Sequence, residues 1–212
     1  QDVLQPVIGI CRSLMENYPK NKPYRKWKSM LANEEVQILP DAILMKNGKT
    51  IMHRWETPLM EYMAAFVCEG GGDIIEMGFG MGISATAIQS HNPTSHTICE
   101  INPRILNHLY KWAEDRPNVI ILEGNWNDNY EKMDTYDGIF FDTHDDAYAY
   151  KFRECHEKIA RKGCRTTWWN NLDWEFNELE IEGTEFEVIP VNPPTNDYFN
   201  HTSYWMPKHI NK

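Results

Sequence analysis

Asp73-Ile74-Ile75-Glu76-Met77-Gly78-Phe79-Gly80-Met81-Gly82 reads as a short buried strand, a glycine turn and, at Ile83-Ser84-Ala85, the start of a helix. Glycine at 78, 80 and 82 permits positive φ and removes side chains where a ligand must approach the backbone. The first turn of the helix carries backbone N–H groups with no partner inside the helix, and they point back at the same place. The dinucleotide fingerprint needs its third glycine at position 83, where Ile83 stands. Glycine turns between strand and helix also occur without any ligand, so the turn has to be read with its surroundings.

Outward from it the pattern alternates. Upstream, Thr57-Pro58 predicts an N-cap followed by proline at the first helical position, with an apolar helix over Leu59–Cys68 stopped by Gly70-Gly71-Gly72. Downstream, a helix over Ser84–Ser90 leads to a second strand at Thr97–Glu100. A helix over Pro103–Asp115 leads to a third at Val119–Leu122. A fourth strand is expected at Tyr136–Phe141, a helix at Tyr150–Lys162 stopped by Gly163, and a fifth strand at Cys164–Trp168. Strands and helices alternating at this spacing predict a parallel sheet. Phe186–Ile189 and Ser203–Met206, joined by a Pro-rich loop, predict a closing antiparallel hairpin. The expected fold is thus α/β and Rossmann-like: a mostly parallel seven-stranded sheet with helices on both faces. Residues 51–212 form its body, and residues 1–50 are an N-terminal segment of the same domain. Within that segment, Val3–Tyr18 has the spacing of an amphipathic helix. Lys20–Lys28 is basic with Tyr24 and Trp27 interleaved, either a solvated turn with two anchors or a lid over a ligand. Val36–Leu39 and Ala42–Met45 suggest a hairpin near the Asn47-Gly48 turn signal.

Composition narrows the class. The 212 residues, 42 % apolar, suffice for one full core, and the net charge of −10 argues against a nucleic-acid or anionic-membrane partner. Five scattered cysteines without a Cys-x-x-Cys pair suit reduced thiols in a cytoplasmic setting and give no metal site. No apolar run reaches the roughly 18 residues of a membrane span.

In an open α/β sheet the ligand lies at the carboxyl ends of the strands. The first strand ends in the glycine turn and the second in Glu100-Ile101, 22 residues after Gly78. An acid there can accept hydrogen bonds from both hydroxyls of a ribose. The third ends at Gly124-Asn125-Trp126, where an aromatic either stacks on an adenine face or packs in the core. The fourth ends in Phe141-Asp142-Thr143, where the reacting end of a cofactor would meet its acceptor. In this order the signals indicate a nucleoside site of the S-adenosylmethionine (SAM) type.

Two further strings narrow the match. Ile51-Met52-His53-Arg54-Trp55-Glu56-Thr57-Pro58 and Ile139-Phe140-Phe141-Asp142-Thr143, with Glu76-Met77-Gly78-Phe79-Gly80-Met81, closely resemble the guanidinoacetate N-methyltransferase family. Similarity continues more weakly through Glu100, Gly124–Trp126, Asn171-Leu172 and Val191–Pro194. The resemblance implies methyl transfer from SAM, yielding S-adenosylhomocysteine (SAH), to a guanidino nitrogen of a small molecule. It implies that Glu56 and Asp142 grip the guanidino group and that Asp142 takes its proton. By the same resemblance Met52, Met60, Glu76, the turn Gly78–Gly82 with Ile83 and Ser84, Glu100, Ile101, Asn125, Trp126 and Asp142 itself surround the cofactor. Tyr24 and Trp27 close over it, and Thr143, His144, Asn171, Leu172 and Asp173 face the acceptor. The chemistry agrees. A guanidinium is planar and pairs bidentately with carboxylates, and its pKa above about 12 leaves no free lone pair, so a base must accept a proton as the C–N bond forms.

Where the family has a tyrosine after Asp-Thr, this chain has His144, open to three readings: a group titrating near neutrality, a second base, or packing. Where the family has a threonine after Asn-Leu to help bind the substrate carboxylate, this chain has Asp173. That acid either repels guanidinoacetate and favours a longer or more cationic guanidino compound, or caps a helix at Trp174. The rival readings are transfer to another amine, a SAM-binding protein without catalysis, and an NAD enzyme, which Ile83 disfavours. A monomer or homodimer is expected.

Overall fold

The computed structural model describes residues 35–144, 149–172 and 174–212. The expected helix over Val3–Tyr18, and Tyr24, Trp27 and Asp173, lie outside the described residues.

The described chain opens with a small antiparallel sheet in the order β1 (Val36–Ile38), β2 (Ala42–Met45), β3 (Thr50–His53). The Asn47-Gly48 turn joins β2 to β3 rather than closing the expected hairpin: Gly48 has φ +86°, and the Met45 N–H reaches the Lys49 carbonyl at 2.8 Å. β1 and β2 pair across the tighter link at Leu39–Asp41, where the Leu39 N–H meets the Ala42 carbonyl at 2.8 Å.

Next come α1 (Thr57–Cys68), β4 (Asp73–Met77), α2 (Ile83–Ser90), β5 (Ser95–Glu100), α3 (Pro103–Ala113), β6 (Val119–Glu123) and the single turn α4 (Trp126–Asn129). They are followed by β7 (Tyr136–Phe141), α5 (Phe152–Ile159), β8 (Ala160–Trp168), β9 (Glu185–Pro190) and β10 (Ser203–Ile210). The main sheet has seven strands in the order β6-β5-β4-β7-β8-β10-β9. β4 to β8 run parallel; β10 inserts between β8 and β9, antiparallel to both. This is the expected mostly parallel sheet with its antiparallel close.

The central strands are largely apolar because both faces are covered, with Glu76 of β4 and His96 of β5 as a buried polar pair among them. Alternate residues part company: Ile74 and Phe140 join the core under α1 and α2, while Ile75, Met77, Ile139 and Phe141 face α5. Leu59, Met60 and Met63 of α1 are sealed from solvent, each worth about 1.5–3 kcal/mol of burial. A third core lies where α3 and the small sheet meet Ile98 and Phe79. Arg104 of α3 ties the small sheet down, donating to the Val36 carbonyl at 2.6 Å.

Two boundaries differ from expectation for tertiary reasons. Thr57 does not act as the N-cap acceptor. A 3-10 turn at Arg54–Glu56 precedes α1, and His53 caps it: its Nδ1 accepts from the Trp55 N–H at 3.1 Å while Glu56 Oε1 accepts from the His53 N–H at 2.9 Å. The helix expected to reach Lys162 ends at Ile159. Asn211 Nδ2 donates to the carbonyls of Ala160 (3.1 Å) and Arg161 (3.0 Å), and Arg161 pairs with Asp73 and Asp137, so the segment is drawn out as strand. No helix starts at Trp174.

Candidate active site

The chain order β4-β5-β6 runs to one side of β4 and β7 lies on the other, which opens a crevice at their carboxyl ends. A cleft of about 390 Å³ occupies it, within the range of small-ligand sites.

Its floor is the turn after β4. Gly78 has φ +92°, and a Cβ there would lie 2.0 Å from the Asp142 carbonyl oxygen. Glycine is therefore required for the ends of β4 and β7 to approach each other, not only for a ligand to reach the backbone. Gly82, at φ +71°, begins α2 under the ring of Phe79, where a Cβ would meet that ring at 2.7 Å. Met52 of β3 leans over the turn, its Sδ 3.4 Å from the Met81 N–H.

Glu100 closes β5. Its Oε2 accepts from the Phe79 N–H (2.9 Å) and its Oε1 from the N–H groups of Ile101 (2.8 Å) and Asn102 (2.7 Å). Burial pushes its carboxyl up, opposed by those donors and the Gly80 N–H. A carboxylate offers about four lone-pair sites, so here Glu100 stitches two turns together, and ribose hydroxyls would compete with backbone donors. After β6, Asn125 accepts from the Asn127 N–H at 2.8 Å and starts α4. Trp126 lines the cleft and also packs edge-on against Phe141 (5.7 Å between centroids) and Phe152 (5.6 Å), so it serves both wall and core.

On the other side of the cleft stand the two acids. Glu56 arrives on the capped 3-10 turn and is 3 % exposed; Asp142 arrives at the end of β7 and holds the Met77 carbonyl through its own N–H at 2.9 Å. Both line the cleft. Burial, and then the charge of Asp142, push the Glu56 carboxyl up to about 8. Burial, and then the charge of Glu76, push Asp142 up to about 7. Two carboxylates held this way resist ionisation until a cation joins them.

Gly78, Phe79, Gly80, Ile101, Thr143, His144 and Asn171 share the cleft wall with these residues. Met60, Glu76, Met81, Gly82, Ile83, Ser84 and Leu172 do not. Met60 is on the buried face of α1, in the core. Glu76 is buried beneath the turn, accepting from the Ser84 hydroxyl and lying 3.2 Å from His96 Nε2, so its contribution is to the shape of the turn. Sequence reading missed Lys49, Asp197, Tyr198 and Trp169, which also line the cleft. Tyr198 donates to Glu56 Oε1 from a loop 142 residues away. Burial and the Glu56 charge push its phenol up, so it stays protonated.

A comparison with protein families decides the kinship: the profile of guanidinoacetate N-methyltransferase matches residues 21–175. The chain belongs to the guanidinoacetate N-methyltransferase family. It carries a SAM-dependent N-methyltransferase domain of that family. Protein arginine N-methyltransferase 2 of Candida glabrata is 36 % identical over 128 residues, covering 55 % of this chain and 31 % of that protein. The chain thus spans about a third of the length of the curated relatives it matches. Among solved structures, spermidine synthase from Thermotoga maritima superposes with a TM-score of 0.65 at 11 % identity, covering 84 % of this chain and 69 % of that one. SMU.776, a methyltransferase complexed with SAH, gives 0.54 at 12 % identity, covering 82 % and 57 %. At these identities the structures speak for the fold alone. No helix among the described residues is long and apolar enough to cross a membrane.

Proposed function

We propose that this domain methylates a guanidino nitrogen of a small cationic acceptor, working as a cytoplasmic enzyme. One observation carries the reading: Glu56 and Asp142, distant in sequence, line one cleft in which each carboxyl is pushed far above its ordinary range. Two such acids are matched by one delocalised cation with N–H donors in fixed directions.

The cleft fits the donor: a floor of backbone at Gly78–Gly80, an acid at the end of β5, and an indole at the end of β6. Gly78, Phe79, Gly80, Glu100, Ile101, Asn125 and Trp126 would hold it, with Met52 above and Tyr24 and Trp27 of the N-terminal segment as a cover. SAM, when bound, supplies the electrophilic methyl group. Glu56 and Asp142 pair with the guanidinium and lose their own protons as they do so. Asp142 then accepts a proton from the attacking nitrogen, and positioning of the two reactants supplies most of the rate. Thr143, His144 and Asn171 contribute the rest of the acceptor surface, and Asp173, where the family has a threonine, would select against an acceptor carboxylate.

A second acceptor, an arginine side chain within a protein, is favoured by the names of the sequence relatives. Labelled SAM with guanidinoacetate, agmatine, free arginine and an arginine-containing peptide separates the two. Turnover of a small guanidino compound above the peptide supports the first reading, and preference for the peptide supports the second. Methylation of a primary amine alone, or of nothing in the panel, rejects guanidino transfer.

A further inference from the structure

We infer that Tyr198 is the positioning residue of the acceptor site: its hydroxyl holds Glu56 so that one carboxylate oxygen is engaged and the other faces the bound cation. This rests on the guanidino reading above.

Every element around Tyr198 fixes it. Asn196 builds the loop from within. Its Oδ1 accepts from the N–H groups of Tyr198 (3.0 Å) and Phe199 (2.7 Å), and its Nδ2 donates to the carbonyls of Pro194 (2.9 Å) and Phe199 (2.7 Å). Asp197 pins the loop to β3, accepting from the Thr50 N–H at 3.0 Å. The Tyr198 ring stacks on Trp55, with centroids 6.3 Å apart and planes at 30°, and Trp169 stands 6.4 Å away. A tyrosine with so little freedom delivers its hydroxyl to one place, and that place is Glu56 Oε1.

The consequence lies in which oxygen is taken. The His53 N–H also falls on Oε1, so both hydrogen bonds of this carboxylate share one atom. Oε2 takes neither of them, and Glu56 lines the cleft together with Asp142. Donation from a neutral phenol favours the charged form of the acid, the form that pairs with a guanidinium. Among the described residues, the charged and titratable groups nearest Glu56 are Asp142 at the end of β7, His53 on its own turn, Tyr198 on the loop and Tyr204 on β10, whose phenol is raised in part by the charges of Asp142 and Glu56; Lys49, Glu100, His144 and Asp197 line the same cleft. Of these, Asp142 opposes ionisation of Glu56, while Tyr198 and the His53 N–H support it.

Tyr198→Phe tests this, because the ring and its stacking remain. With the acceptor the wild type uses best, the variant's KM at pH 7 should rise about tenfold, the effect of one hydrogen bond to a charged group. The rise should shrink below about threefold at pH 9, where Glu56 ionises without help; kcat and the Kd for SAM should stay within about twofold. An equal KM penalty at both pH values, or none, overturns the inference. A second measurement needs no acceptor: the Glu56 carboxyl, followed by carbon NMR in ligand-free protein, should titrate about one pH unit higher in Tyr198→Phe, and an unmoved titration overturns the inference. If the wild type methylates no guanidino compound, the functional reading fails while this titration still decides the part played by Tyr198.

Discussion

Glu56→Gln should make the ligand-free protein more stable, with a gain that is almost absent at pH 5, grows through neutrality and is largest above about pH 8. In the unfolded chain Glu56 releases its proton near its ordinary value of 4.5, and in the folded chain near 8. Between those values the folded state keeps a proton that the unfolded state has lost, so stability is complete below about 4.5 and falls as pH rises through about 8. At about 1.4 kcal/mol per pH unit, that interval sets a ceiling of about 5 kcal/mol. Asp142 titrates in the same cleft and carries part of the cost, so about half of the ceiling, roughly 2–3 kcal/mol, should return when the charge is removed. Glutamine keeps an oxygen for the His53 N–H and the Tyr198 hydroxyl, so the packing is unchanged. A domain of this size gains about 2–4 °C in Tm per kcal/mol, giving roughly 5–10 °C at pH 8.5 and almost nothing at pH 5. Circular-dichroism melts of both proteins at the two pH values measure it. A gain that is the same at both, or a loss at pH 8.5, would refute the claim that these acids are held against their charge.

Asp142→Ala should lower kcat by about 10²–10⁴-fold, the range for a lost general base, with SAM still bound by calorimetry; near-normal turnover removes the base assignment. Gly78→Ala places a methyl 2.0 Å from the Asp142 carbonyl at φ +92°, so thermal melts should show a loss of more than about 2 kcal/mol, and an unchanged Tm would contradict the packing described. Trp126→Leu should weaken SAM binding about tenfold or more, since stacking on a base contributes about 1–3 kcal/mol; a lowered Tm with unaltered SAM affinity would leave that indole to the core alone. For the wild type, kcat/KM for a guanidino acceptor should climb between pH 6 and 8 as the acids at about 7 and about 8 release protons to make room for the cation, and a flat profile would count against paired-acid recognition.

The parallel core was legible because its signals are local. Ile74-Ile75 and Ile139–Phe141 are apolar runs on both faces, and the helix stop at Gly70–Gly72 marks where the first of these strands begins. The two acids were legible through the strings that carry them. What escaped depends on partners far along the chain. The strand at Ala160 is drawn out by Asn211, some fifty residues later, and nothing near Lys162 announces it. Glu100 has the right place for a ribose acid, yet its lone pairs go to backbone donors that only the folded turns bring together. Tyr198 sits in a Pro- and Asn-rich loop whose composition says turn; its meaning comes from Glu56, and no period or motif connects the two.

β10 lies between β8 and β9 although it follows both in the chain. During synthesis β9 therefore has no strand among the described residues to join until residues 203–210 are available, and the loop bearing Asn196, Asp197 and Tyr198 hangs from that unfinished pair. β4, β5, β6 and β7, which end in the glycine turn, Glu100, the Trp126 turn and Asp142, pair with one another without it. The walls of the cleft consequently mature at different times, with the one that carries Tyr198 arriving last.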